Sequence, residues 1–104
     1  MDFNALYASF NARDMESVLA QLHPSVRWPN AWEGGILTGR EAVRDYWTRQ
    51  WQVIDPIVTP LGIDPLPDGR IRVTVRQAVD GQVSQVSHVY TIRDGLVTEM
   101  EIAP

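Results

Sequence analysis

The sequence predicts an α+β fold, with three helices in its first half laid over an antiparallel sheet in its second. Three observations predict it. Apolar residues recur with helical spacing as far as about residue 51, they alternate with period two beyond residue 70, and Asp-Gly dipeptides punctuate that second part. A chain of 104 residues suits one domain, 1–104, burying roughly 65% of its unfolded surface around one core.

Phe3, Leu6, Tyr7 and Phe10 fall at i, i+3, i+4 and i+7, and Met15, Val18, Leu19 and Leu22 repeat the pattern after a break at residues 11–14, so two short amphipathic helices are expected. Asp14 is placed to cap the second, and His23-Pro24 to end it, because the residue before proline avoids the α region. Residues 25–28 read as a short strand stopped by Pro29, and residues 30–35 as a loop. Thr38 and Glu41 match a capping box for a third helix running to about Trp51, whose buried stripe is Val43, Tyr46, Trp47, Gln50 and Trp51. The proline-punctuated stretch to Pro67 fits only an edge strand or irregular chain. Residues 71–75 then alternate, as do Val86, His88, Tyr90 and Ile92, with Asp68-Gly69, Asp80-Gly81 and Asp94-Gly95 as turns. An antiparallel meander follows, with Arg70, Arg72 and Arg76 on the face opposite Ile71, Val73 and Val75.

Composition excludes several functions. The net charge of −4 and the scatter of nine basic residues argue against a nucleic-acid partner. All nine are arginine, so Schiff-base catalysis by lysine is unavailable, and with no cysteine so are thiol chemistry and disulfides. No apolar run reaches the roughly 20 residues of a membrane span, and no basic amphipathic segment suits a membrane surface. Met1-Asp2-Phe3-Asn4 has neither the basic nor the apolar region of a secretory signal, which makes a cytoplasmic site the expectation. The two histidines have no metal-ligand spacing, Gly34-Gly35 is too little for a phosphate loop, and no cofactor is implied.

Four segments carry a family resemblance: Phe10-Asn11-Ala12-Arg13-Asp14, His23-Pro24-Ser25-Val26-Arg27-Trp28, Thr38-Gly39-Arg40-Glu41-Ala42-Val43 and Arg93-Asp94-Gly95-Leu96-Val97. In order and spacing the chain resembles the nuclear transport factor 2-like superfamily, specifically its SnoaL-like branch, which includes ketosteroid isomerase-like and polyketide cyclase-like proteins. The resemblance implies a cone-shaped α+β barrel, a pocket between helices and concave sheet, and commonly a homodimer through the sheet's outer face. It implies no single activity, because one fold hosts isomerases, cyclases, hydrolases, dehydratases and non-enzymatic modules. Ungapped matching to the ketosteroid isomerases puts their base aspartate at Trp28, their oxyanion tyrosine at Leu6 and their oxyanion aspartic acid at His88. That mechanism lacks its base here, and Tyr7, one helical step or about 100° from Leu6, is no automatic substitute.

His88 is the candidate general acid or base, since it titrates near neutrality and sits mid-strand among inward-facing apolar residues; a buried histidine satisfied by a neighbour is the other reading. Tyr90, two residues along the same face, is able to donate beside it to a carbonyl or epoxide oxygen, or to be a core tyrosine. Tyr7, Trp28, Trp32, Tyr46, Trp47 and Met100 are expected walls for a small apolar or aromatic molecule. Glu33, with Asn30 on the loop over the pocket mouth, is the nearest candidate for the missing carboxylate or else a solvent residue, while His23 and Asp55 read as turn and surface residues. Two functions follow: a SnoaL-like pocket with acid–base chemistry through His88 and Tyr90, or a non-catalytic homodimeric binding module of the same fold. They separate on whether His88 opens into a cavity holding two or more polar groups. An epoxide-hydrolase-like reaction needs inward carboxylates, which are too few.

The last hairpin decides whether His88 has an acidic partner. A three-residue loop at Arg93-Asp94-Gly95 pairs Ile92 with Leu96 and His88 with Met100, whereas a two-residue loop pairs Arg93 with Leu96 and brings Glu101 opposite His88 and Glu99 opposite Tyr90. The three-residue loop is expected, because it keeps Leu96, Met100 and Ile102 inside and both glutamates in water.

Overall fold

The computed structural model describes residues 1–103. Helices α1 (Phe3–Asn11) and α2 (Met15–Ala20) form where the apolar spacing put them. Each starts at an aspartate that accepts from a free first-turn amide, Asp2 from Ala5 at 3.1 Å and Asp14 from Ser17 at 3.3 Å. Arg13, at φ 61°, turns the chain between them.

Strand β1 (Leu22–Pro29) is longer than expected and takes in His23-Pro24, so that dipeptide does not end α2, which stops at Ala20. Pairing decides this. The amide of Val97 donates to the carbonyl of Gln21 at 3.0 Å, and Leu22 aligns with Val97, which starts the strand early. The register with the partner strand shifts between Leu22 and Arg27, so Pro24, which has no amide to donate, lies where the ladder is already interrupted.

Just after the expected loop, Ile36–Thr38 forms a short strand, β2, antiparallel to the end of β1. The Thr38 capping box is therefore corrected: Thr38 pairs with Arg27, and the residue before helix α3 (Arg40–Val53) is Gly39, at φ 92°, with no side-chain cap. The Gly39 amide instead donates to the carbonyl of Val26 at 2.8 Å, and Arg40 Nε to that of Leu22 at 2.7 Å, which fixes α3 to β1. On its stripe Val43, Tyr46 and Trp47 are buried, while Gln50 and Trp51 are half-buried.

Strands β3 (Ile57–Pro65), β4 (Ile71–Val79), β5 (Gln82–Arg93) and β6 (Leu96–Ala103) form the antiparallel meander, and β1 joins β6 in parallel. The order is β2-β1-β6-β5-β4-β3, which puts the proline-bearing β3 at an edge, where a missing amide costs least. Both edges stay open, so the helices pack on a curved six-stranded sheet, the α+β architecture that the resemblance implied, and the sheet is not closed. Val73 and Val75 point to the core while Arg72 and Arg76 are exposed, as the alternation required.

The last hairpin corrects the expected loop. Asp94 and Gly95 both have positive φ, 54° and 76°, making a two-residue turn with Arg93 opposite Leu96. Beyond it the register shifts by one at a bulge, so Thr91 faces Glu99, Tyr90 faces Met100 and His88 faces Ile102. Val97, not Leu96, is the fully buried residue at the turn. The Thr98 hydroxyl donates to the carbonyl of Thr91 at 3.2 Å across the bulge. Because the extra residue restores the face, Met100 points inward and Glu99 and Glu101 outward.

Candidate functional site

A cavity of about 130 Å³, partly open to solvent, lies between α1, α3 and the concave face of the sheet. Helix α1 supplies Leu6, Tyr7 and Phe10, helix α3 supplies Tyr46, Trp47 and Gln50, and the strands supply Trp28, Gln77, His88, Tyr90 and Met100. Among the described residues no charged side chain lines it. Its wall is a set of edge-on aromatic contacts: Trp28 meets Trp47 at 5.3 Å between centroids and Tyr90 at 6.4 Å, and Phe10 meets Trp47 at 5.4 Å.

The polar feature of this cavity is a hydrogen-bonded chain at the sheet. The Tyr7 hydroxyl lies 2.7 Å from His88 Nδ1 and 2.7 Å from the Tyr90 hydroxyl. The helix brings Tyr7 to this point because its buried face, Phe3-Leu6-Tyr7, lies over β5; Phe3 rests on the Tyr90 ring at 4.9 Å. His88 and Tyr90 arrive together because residues two apart on a strand share a face. Tyr7 thus acquires a position in the site that ungapped matching had not assigned it.

Burial governs the protonation of all three groups. It lowers the pKa of His88 from 6.5 to about 4, so the imidazole is neutral at pH 7. It raises both phenols well above their ordinary range, and at Tyr90 the neighbouring Tyr7 acts in the same direction as burial. With a neutral imidazole one ring nitrogen carries hydrogen. If Tyr90 donates to Tyr7 and Tyr7 to Nδ1, the hydrogen is on Nε2, and His88 offers a donor; if Nδ1–H donates to Tyr7, Nε2 offers a lone pair. Among the described residues none is hydrogen-bonded to Nε2, which leaves that nitrogen for a ligand.

His88 therefore opens into a cavity with other polar groups, Tyr7, Tyr46, Gln50, Gln77 and Tyr90. Of the other expected wall residues, Trp28, Tyr46, Trp47 and Met100 line the cavity, and Trp32 does not: it is 44% exposed, resting edge-on against Tyr46 at 6.5 Å. The loop turns early because Asn30 Oδ1 accepts from the amides of Trp32 and Glu33, which carries the indole outward. Glu33 is not a base in the cavity; it pairs with Arg49 at 3.1 Å. His23 Nδ1 accepts from the amide of Ser25 at 3.0 Å, and Asp55 pairs with Arg13, both at the surface as expected. Gln77 was missed, though continuing the inward series 71, 73, 75 by one step reaches it. No cluster of metal-ligating side chains is present among the described residues.

The model of the SnoaL-like domain matches residues 3–100. Among solved structures, a putative polyketide cyclase from Sinorhizobium meliloti superposes with a TM-score of 0.84 at 19% identity, over 96% of this chain and 91% of that one. TerC, co-crystallised with polyporic acid, gives 0.81 at 27% identity over 96% and 85%. A Mycobacterium tuberculosis protein in complex with estradiol-17beta-hemisuccinate gives 0.80 at 20% identity over 95% and 87%. No curated protein matches the chain.

Proposed function

The chain belongs to the SnoaL-like domain family, and from that premise we propose that it binds a small, uncharged, largely apolar molecule in the cavity, with His88 and Tyr90 as the acid–base pair facing an oxygen of that molecule. The observation that carries this is the pairing of an uncharged, aromatic-walled cavity with the buried Tyr90–Tyr7–His88 chain at its base. A charged ligand would enter this wall unpaired, at a cost of several kcal/mol. An apolar one gains about 25 cal/mol for each Å² it buries. An apolar cavity of roughly 150 Å³ holds a benzene ring, so about 130 Å³ suits one ring, with substituents reaching toward the opening. The steroid conjugate and polyporic acid seen with fold relatives support small-molecule binding as the use of this space.

The second reading, a binding module without turnover, is favoured by one fact: no carboxylate lines the cavity and the His88 pKa is about 4. A base that weak at pH 7 has little driving force to take a proton from carbon. The chemistry best suited to the chain is hydrogen-bond donation to a carbonyl oxygen, which polarises it. A second copy of the chain is the proposed protein partner, through the outer sheet face. There Gly62, Thr74, Ser87 and Ala103 align across four strands as a row of small side chains that a flat partner surface can approach closely. Sedimentation of wild type and Ser87→Arg tests this; a monomeric wild type refutes it.

The pocket is tested by thermal-shift and tryptophan-fluorescence screens of small lactones, steroids and aromatic polyketides on wild type and His88→Ala. A ligand at a hundred times its Kd stabilises the native state by about 2.7 kcal/mol, a rise of 10 °C or more for a domain of about 100 residues. If no compound shifts the melting temperature, the pocket reading is lost. A compound that binds wild type and His88→Ala equally leaves the binding module and removes His88 from the chemistry.

A further inference from the structure

The Tyr90–Tyr7–His88 chain is one polar wall of the cavity; a second lies on α3. The Tyr46 oxygen accepts from Gln50 Nε2 at 3.0 Å. A phenol oxygen has two lone pairs and one hydrogen. The Gln50 N–H takes one lone pair, and among the described residues no protein atom accepts the hydrogen. Tyr46 is buried, 2% exposed, and lines the cavity, so its hydroxyl is a donor without a protein acceptor. Burial also holds the phenol protonated at any ordinary pH.

The two walls are well separated. Tyr46 meets Trp32 just past the end of β1, and His88 is on β5, with β6 between those strands. Two strand spacings are about 10 Å between backbones. The groups also differ in kind. His88 presents either a donor or an acceptor according to its tautomer, so it matches a hydroxyl or a carbonyl. Tyr46 presents a donor only.

Resting on the pocket reading above, we propose that the ligand is a neutral ring compound with two oxygen functions at opposite ends, and that Tyr46 is a specificity-determining donor selecting a carbonyl-type acceptor at the end away from His88. An ionised group at either end is disfavoured by the uncharged lining.

Three probes of similar size test this by fluorescence titration at pH 7: 4-hydroxyacetophenone, with a hydroxyl and a carbonyl; 4-ethylphenol, with the hydroxyl alone; and 4-methylacetophenone, with the carbonyl alone. Wild type is expected to bind 4-hydroxyacetophenone about tenfold more tightly than either single-oxygen probe, the worth of one net hydrogen bond. Tyr46→Phe should abolish the advantage over 4-ethylphenol while leaving 4-ethylphenol affinity within about twofold. Equal binding of the three probes by wild type overturns the inference even if Tyr46→Phe does not fold. So does a preference that survives in a folded Tyr46→Phe. If none of the probes binds, the failure belongs to the pocket reading itself, and the inference falls with it.

Discussion

Consider His88→Gln, compared with wild type by urea unfolding between pH 7 and pH 4. Glutamine still offers Tyr7 a hydrogen-bonding partner but does not titrate. In the unfolded chain His88 takes up a proton near its ordinary pKa of 6.5; in the folded chain burial delays this to about 4. The folded-state pKa is depressed, so protonation favours unfolding. The contribution is fully present above pH 6.5 and is lost as pH falls toward 4. Between those values the unfolded state binds one more proton, and the slope is 1.36 kcal/mol per pH unit. Integrated, wild type loses about 2 kcal/mol by pH 5 and about 3 kcal/mol by pH 4 through this residue. Every other titratable group is common to both proteins and cancels in the difference. The stability gap between wild type and His88→Gln should therefore shrink, or reverse in sign, by about 3 kcal/mol across the range. Parallel stability curves would refute the reasoning, because they mean His88 is as protonatable in the fold as out of it, and the cavity around it is wet.

Tyr7→Phe removes the shared hydroxyl and leaves both His88 Nδ1 and the Tyr90 hydroxyl without the partner seen here, so a loss of about 2 kcal/mol is expected, read as a lower urea midpoint with unchanged slope. Deleting Thr98 should be tolerated at a cost of about 1 kcal/mol, the Thr98–Thr91 hydrogen bond. Without the extra residue, Val97 still faces Ile92 and Glu99 still faces Thr91, so probe binding should stay within about threefold; loss of binding in a folded deletion variant would show that the bulge does more than absorb a residue.

Much of the fold was legible because it rests on periodicity. The Phe3-Leu6-Tyr7 and Val18-Leu19 faces, the Asp14 cap, the edge position of the proline-bearing strand and the inward series Val73, Val75, His88 and Tyr90 all follow from spacings of three to four or of two. What was misread depended on partners distant in sequence. Thr38 with Glu41 looks like a cap locally, yet Thr38 is claimed by Arg27 of β1. His23-Pro24 looks like a helix stop, yet a strand pairing beside it had already begun at Leu22, with Val97. Trp32 looked like a wall because a tryptophan is costly to expose, but the Asn30 turn points it outward.

The site shows the same division. That His88 and Tyr90 share a face follows from two-residue alternation, but that Tyr7 joins them depends on how α1 lies across β5, which no spacing within either element encodes. The hairpin is the sharper case. Local turn chemistry admits two loops, and the observed Asp94-Gly95 turn, continued as regular pairing, would set Glu101 against His88 and Glu99 against Tyr90. A carboxylate beside the imidazole would favour its charged form and make an acid–base pair. One bulged residue reverses that outcome: the turn is the two-residue kind, yet Met100 and Ile102 face Tyr90 and His88. The cavity is apolar because of the bulge, not because of the turn. The neutral histidine, the uncharged lining and the proposed preference for a neutral ligand all descend from it.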